Sequence, residues 1–192
     1  CDTKGNISEV VTNTYFVGLN INSDYNNLAV ISILTDEDNL WGYENGIFML
    51  GKTFDDWMNE TGGVGYNSWE YPANYNQRGK YWEREVHIEL FENDGKCAFS
   101  QNVGMRTMGN ASRSNNQKSL RFYAREEYSG SKNIKYELIP GLKKESDKNS
   151  VLKKYKTFVL RSGGNDADYA KLRDPYIQSL VSDRSFDTQG SR

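Results

Sequence analysis

The run from Trp82 to Phe91, with the turn behind it, limits the fold more than any other part of the chain. Val86, Ile88 and Leu90 alternate with His87, Glu89 and Phe91, and the run leads into Asn93-Asp94-Gly95. A period of two sends the first three side chains to one sheet face and the second three to the other. Asp-Gly behind such a run marks a hairpin, because the tight turn needs positive φ and Gly supplies it without steric cost. The chain must therefore hold an antiparallel pair, with residues 96–108 as the return strand.

Other strands are expected at 9–17, 28–34, 46–50, 118–125, 134–139 and 155–160, from β-branched and aromatic runs. The apolar run 28–34 reads as buried on both faces. Asp36 is placed to cap a short helical turn. Thr53, Phe54, Trp57 and Met58 have helical spacing, so a helix is expected over 53–59. Residues 61–79 are rich in Gly, Asn and Tyr and form a long irregular segment. Residues 143–154 hold five Lys and two acids and read as a solvated linker. The one long helix is expected over 168–183, with Tyr169, Leu172, Tyr176 and Leu180 on its packed face. Pro175 lies within it and predicts a kink or restart. The fold class is α+β, mostly antiparallel sheet with a late helix.

Composition closes off several functions. The 192 residues contain one histidine, His87, and two cysteines, Cys1 and Cys97. A zinc site needs more ligands than these supply. His87 lies in the strand pattern between Glu85 and Glu89, which suits a half-exposed strand residue better than a catalytic triad. Cys97 is expected as a buried free thiol. Cys1 admits two readings, the lipid-bearing cysteine of a processed lipoprotein or the boundary of an excerpt. Neither GxGxxG nor GxxxxGK[ST] occurs, so classical dinucleotide and P-loop sites have no support. No apolar run approaches the ~20 residues that span a bilayer. The formal charge of -2 argues against a histone-like or polybasic nucleic-acid binder. It hides an asymmetry: residues 1–95 carry 16 acidic against 5 basic residues, and residues 96–192 carry 10 against 19.

The basic half concentrates in two segments. The first runs from Gly104 through Arg106, Gly109, Asn110, Ser112 and Arg113 to Lys118 and Arg121. It joins two expected strands through a loop of Gly, Asn and Ser, which can present backbone N–H groups and hydroxyls to an anion. Arginine pairs bidentately with phosphate, and a strand would hold Lys118 and Arg121 rigidly. The same residue types also make ordinary turns. The second segment is Leu160-Arg161-Ser162-Gly163-Gly164-Asn165-Asp166, followed by Lys171 to Asp174. Asp166 or Asp168 would cap the late helix there. Arg161, Asn165 and Arg173 either line one cleft with Lys118 or belong to a capping loop with a surface ion pair.

These residues resemble the spore coat protein H (CotH) kinase family of atypical secreted bacterial kinases. The resemblance begins at Leu28 to Gly42, continues through Glu44 to Phe48 and resumes at Trp82 to Phe91. It is strongest at Gly104-Met105-Arg106-Thr107-Met108-Gly109-Asn110-Ala111-Ser112-Arg113 and Gln117-Lys118-Ser119-Leu120-Arg121-Phe122-Tyr123. It closes at Phe158 to Asp166, Leu172-Arg173-Asp174 and Asp187-Thr188-Gln189. Residues 1–18 resemble the last strand of a chitobiase carboxy-terminal-type β-sandwich, which leaves 19–192 as the kinase-like domain.

The resemblance implies transfer of the ATP γ-phosphoryl group, with Mg or Mn, to Ser or Thr of an extracellular or coat protein. It implies that Arg106, Asn110, Ser112, Arg113, Lys118, Arg121, Arg161, Asn165 and Arg173 surround the nucleotide phosphates. It places the catalytic acid and metal ligand beyond Asp187-Thr188-Gln189, so these residues are expected to bind nucleotide but to be inactive alone. Location at the cell surface, outside the cell or in the spore coat is implied with it. A competing expectation is a non-catalytic polysaccharide- or protein-binding module of a cellulosome-type protein. It draws on Tyr66, Trp69, Tyr71, Tyr75, Tyr81 and Trp82: such rings either stack on sugars or pack the core. No nucleic-acid partner and no membrane span are expected.

Overall fold

A computed structural model describes Thr3, Gly5 and residues 10–25, 28–182 and 188–192. Cys1 and Asp187 lie outside the described residues. The α+β class holds. The helices are α1 (Ile21–Asp24), α2 (Glu37–Trp41), α3 (Gly51–Thr61), α4 (Glu126–Ser129) and α5 (Arg173–Leu180). The strands are β1 (Val30–Leu34), β2 (Arg84–Phe91), β3 (Cys97–Met108), β4 (Ser119–Tyr123), β5 (Lys143–Lys144), β6 (Asp147–Val151) and β7 (Thr157–Leu160). Five strands form one sheet in the order β1-β2-β3-β4-β7, and β5 pairs with β6. The chain divides into two compact units, residues 1–34 with 87–101, and residues 35–86 with 102–192.

In the first unit β1 runs antiparallel to the end of β2, with Ile33 opposite Ile88 and Ile31 opposite Leu90. Ile88, Leu90 and Phe91 are buried. The hairpin turn forms where expected: Gly95 has φ 79, its N–H donates to Glu92, and Glu92 N–H donates to Lys96. His87 is half-buried and its Nε2 lies 2.9 Å from Ser100 Oγ. Cys97 is exposed, not buried, because it opens β3 directly after the turn. The β1 run is half-buried throughout, not buried on both faces, because β1 is an edge strand of the sheet. Residues 10–17 form no strand. Thr14 bonds Ser32 and Phe16 sets its ring edge-on to Phe91 at 4.9 Å, while Val11, Tyr15 and Val17 stay exposed. The alternation is present without a ladder of backbone bonds.

In the second unit β3, β4 and β7 are antiparallel, with Arg106 opposite Arg121 and Leu120 opposite Leu160. Val86, Val103, Met105, Phe122, Ile134 and Ile47 fill the core, and Phe122 stacks on Phe158 at 4.8 Å. Asp36 caps α2 by accepting from Asp38 N–H. Helix α3 begins two residues before the expected start. Its flanking Leu50 gives no side-chain cap; Asn74 supplies one from a distant loop, accepting from Thr53 N–H and Thr53 Oγ1.

Several expectations fail in this unit. Residues 46–50 are turns, because Ile47 and Phe48 donate to the α2 carbonyls of Asn39 and Leu40. Residues 134–139 hold only one bridge, Ile134 to Tyr155. Residues 143–154 are not a linker but contain the β5–β6 hairpin, which pairs Lys144 with Asp147 and Lys143 with Val151 across a tight turn. The late helix shrinks to α5, and its expected packed face is exposed at Tyr169, Leu172, Tyr176 and Leu180. Pro175 falls in the first turn of α5, where the N–H needs no intrahelical partner, so of the kink or restart expected there the structure shows the restart. Leu172 flanks the helix start in place of Asp166 or Asp168.

Candidate functional site

The loop between β3 and β4 is built around two basic side chains. Gly109 takes φ 125, and a Cβ there would lie 2.3 Å from Ser112 Oγ, so only glycine allows the loop to fold back on itself. Residues Ala111–Ser114 form a short 3₁₀ turn flanked by Asn110. Arg113 is buried and donates to the carbonyls of Gly109, Asn76 and Gln77. Burial, then the charges of Arg78 and Arg106, push its guanidinium down to about 10, still protonated at neutral pH. Lys118 Nζ donates to Arg113 O at 2.7 Å and Asn115 O at 2.9 Å, and sits 4.3 Å from the centre of the Tyr75 ring. Desolvation lowers its pKa. Two of its three N–H donors thus close the loop.

An open cleft of about 550 Å³ lies at the end of this loop, lined by Phe48, Asn116, Gln117, Lys118, Leu120, Leu160, Arg161 and Ser162. Phe48, Leu120 and Leu160 give it an apolar part, and the other lining residues are polar or charged. Leu120 and Leu160 are cross-strand partners on one sheet face. Ser119 and Ser162 hydroxyls lie 3.1 Å apart, and Ser162 N–H donates to Ser119 Oγ, which ties the end of β7 to β4. Two cations and no carboxylate line the cleft.

The structure thus brings Lys118 and Arg161 together across 43 positions of sequence and separates the rest. Asn165 is exposed in the 3₁₀ turn Gly164–Asp166. Arg173 Nη2 lies 3.0 Å from Asp166 Oδ1. Arg161 itself is bonded to Asp174, and Gln178, then Arg161, hold the Asp174 carboxyl below its usual range. Asn110 accepts from Arg78 at 3.4 Å. Ser112 is half-buried beside Gly109.

Arg106 and Arg121 face the other way. They are direct partners across β3 and β4, and each neighbours a residue of the opposite face, so both project away from Leu120 and the cleft. Over the same face sits Glu83, its side chain fully buried. A Cβ on Gly104 would lie 2.2 Å from Glu83 Oε1. Glu83 receives Arg125 Nε at 2.6 Å and Nη2 at 2.9 Å, and Tyr128 Oη at 3.0 Å. Arg106 Nε stays 3.6 Å away, and its guanidinium lies 4.2 Å from the Tyr123 ring centre. Burial, then the Glu83 charge, raises the Tyr128 phenol.

Sequence reasoning missed Phe48, Leu160, Ser162, Glu83 and Arg78. Leu160 and Ser162 flank Arg161 and could have been found by placing that residue at a strand end. Phe48 carries no such signal, because a turn delivers it from 70 positions before Lys118. Of the aromatic segment, Tyr75 is buried and Tyr71 packs on Trp57 at 5.3 Å, while Tyr66, Trp69 and Tyr81 are exposed. No helix among the described residues is long and apolar enough to cross a membrane, and no group of three or more His, Cys, Asp or Glu among them is placed to hold a metal ion. No protein-family model matches the chain, and no curated protein or solved structure matches it.

Proposed function

We propose that this is a kinase-like domain of the spore coat protein H type whose described residues bind ATP in the Lys118–Arg161 cleft. The observation that carries this reading is the cleft itself, where Lys118, with one N–H donor left, and Arg161, paired with Asp174, lie beside the apolar Phe48, Leu120 and Leu160. Adenine nucleotides present that same pairing, a flat base and an anionic tail. Phe48, Leu120 and Leu160 would cover the base, and Lys118 and Arg161 would hold the phosphate charge. The triphosphate brings the transferable phosphoryl group, with a divalent ion neutralising its charge. Of the acids nearest the cleft, Asp174 is held by Arg161 and Asp166 faces Arg173, so neither is assigned as a base.

Calorimetric titration with ATP and Mg²⁺ tests the reading. Lys118→Ala and Arg161→Ala are each expected to weaken binding about tenfold, the loss of one charge-assisted hydrogen bond. Absence of binding by the wild-type chain, or unchanged affinity in both variants, refutes it. Incubation with radiolabelled ATP and a Ser-rich acceptor is expected to show no transfer.

A glycan-binding module is the second reading. It is favoured by Tyr66, Trp69 and Tyr81, which expose 54%, 46% and 78% of their surface. Retention on insoluble glucan, lost in Trp69→Ala, would support it; passage through unretained would remove it.

A further inference from the structure

Arg161, one of the two cations of the cleft, already has an anionic partner from its own chain: the Asp174 carboxylate, in the first turn of α5, is bonded to it. That carboxylate draws on the same guanidinium donors that an anion in the cleft would use. The contact is wet on both sides, with 45% of the Arg161 side chain and 49% of the Asp174 side chain exposed, so it is a weak one. The segment around it is held no better. Helix α5 buries no side chain, and Tyr176, Ile177 and Leu180 face water. A second polar tie joins the segment to the cleft rim, from Lys171 Nζ to Gln117 Oε1 at 3.4 Å. Lys171 takes φ 59, and among the described residues no other non-glycine residue has positive φ. That backbone is costly for a residue with a Cβ. Both carboxylate oxygens of Asp166 are shut off from solvent and accept no hydrogen bond among the described residues, with Arg173 Nη2 3.0 Å away as their counter-charge. An element with so few buried contacts opens at a low free-energy cost.

We propose that Asp174 is an internal competitor for Arg161, so that an anion gains the full charge of the cleft only by displacing the first turn of α5. The proposal rests on the reading of the cleft as an anion site and adds the regulation of that site. In the arrangement described, the chain itself neutralises Arg161. When an anion enters beside Lys118, its oxygens accept from the Arg161 guanidinium and the Asp174 carboxylate passes to water. The first turn of α5 then leaves the cleft rim, and Lys171 is free to leave its costly conformation. The coupling runs both ways, as linkage requires. Whatever holds α5 against the rim weakens anion binding, and whatever draws α5 away strengthens it. Because an exposed ion pair sets the size of the effect, α5 tunes the cleft and does not shut it.

Calorimetric titration of the whole chain with tripolyphosphate, at fixed ionic strength, tests it. Asp174→Asn keeps the shape of the side chain and an oxygen for the Gln178 contact. It is expected to bind about two- to fivefold more tightly than the wild type, the range an exposed ion pair allows. Asp94→Asn removes the same charge from an exposed pair with Lys96 in the other unit and should bind as the wild type does. Arg161→Met should bind more weakly, and Asp174→Asn added to it should change nothing further. No gain in Asp174→Asn, an equal gain in Asp94→Asn, a gain that persists beside Arg161→Met, or no binding by wild type and Asp174→Asn alike would each overturn the proposal. Hydrogen exchange gives a second readout. The amides from Tyr176 to Leu180 should exchange faster in the wild type at saturating tripolyphosphate, and fast in Asp174→Asn with or without it. Unchanged exchange in the wild type overturns the displacement. ATP with Mg²⁺ is titrated alongside. Binding of both anions with no effect of Asp174→Asn removes the competition and leaves the ATP reading. The full pattern with tripolyphosphate and no binding of ATP removes the ATP reading and leaves the competition.

Discussion

Replacing Glu83 by glutamine should cost this fold more than any surface change of charge. The amide keeps the size of the carboxylate and removes its charge from a position where the side chain is wholly buried. Arg125 then loses its two short charge-assisted bonds, at 2.6 and 2.9 Å, and Arg106 loses its nearest counter-charge. Breaking a buried ion pair from one side costs about 3–5 kcal/mol. The Arg125 side chain is 35% exposed, so water recovers part of its solvation, and the lower end, about 3 kcal/mol, applies. With a urea slope of about 2 kcal/mol per molar, the transition midpoint falls by about 1.5 M. Urea titration followed by tryptophan fluorescence reads this directly. A double-mutant cycle with Arg125→Met should return a coupling of about 1.5–3 kcal/mol. A midpoint within about 0.3 M of wild type, the scatter that such slopes allow, would show that Glu83 is not the keystone of this face.

Gly104→Ala should act through the same network, because its Cβ would meet Glu83 Oε1 at 2.2 Å; a loss of about 1–3 kcal/mol in urea is expected, and much less in a Glu83→Ala background. Asn74→Ala should destabilise by about 2 kcal/mol, since one buried amide caps α3 through Thr53 and donates to Tyr43 O and Glu44 O; hydrogen exchange of the α3 amides checks it. Stability should fall as pH rises above about 10, because the native state keeps the Tyr128 proton that the unfolded chain releases there. Tyr128→Phe should flatten that alkaline loss in a pH series of melting curves, and an unchanged slope would reject the assignment.

The hairpin, the cap of α2 and the α3 helix were legible because each is specified locally. Alternation from Val86 to Phe91 and the Asp94-Gly95 turn need no distant partner to be read. Residues 143–154 were misread for a related reason. Their charges suggest a linker, yet a two-stranded ribbon exposed over most of its length has no apolar alternation to display. The late helix failed in the opposite way. Its apolar spacing is real, but the spacing promised a packed face, and Tyr176, Ile177 and Leu180 are exposed.

For the site, the residue types were readable and their grouping was not. Lys118, Arg161 and the arginines of the β3–β4 loop announce an affinity for anions by chemistry alone. Which of them share a surface depends on the parity of strand positions and on cross-strand register. Leu120 and Arg121 are neighbours in sequence and lie on opposite faces of the sheet. Arg106 meets Arg121, and Leu120 meets Leu160, only because the strands pair in that register. Sequence therefore fixed the charge and the local turns. Tertiary pairing decided that Lys118 and Arg161 line one cleft while Arg106 and Arg121 face away from it, because contact across a sheet is set by which strands meet and not by distance along the chain.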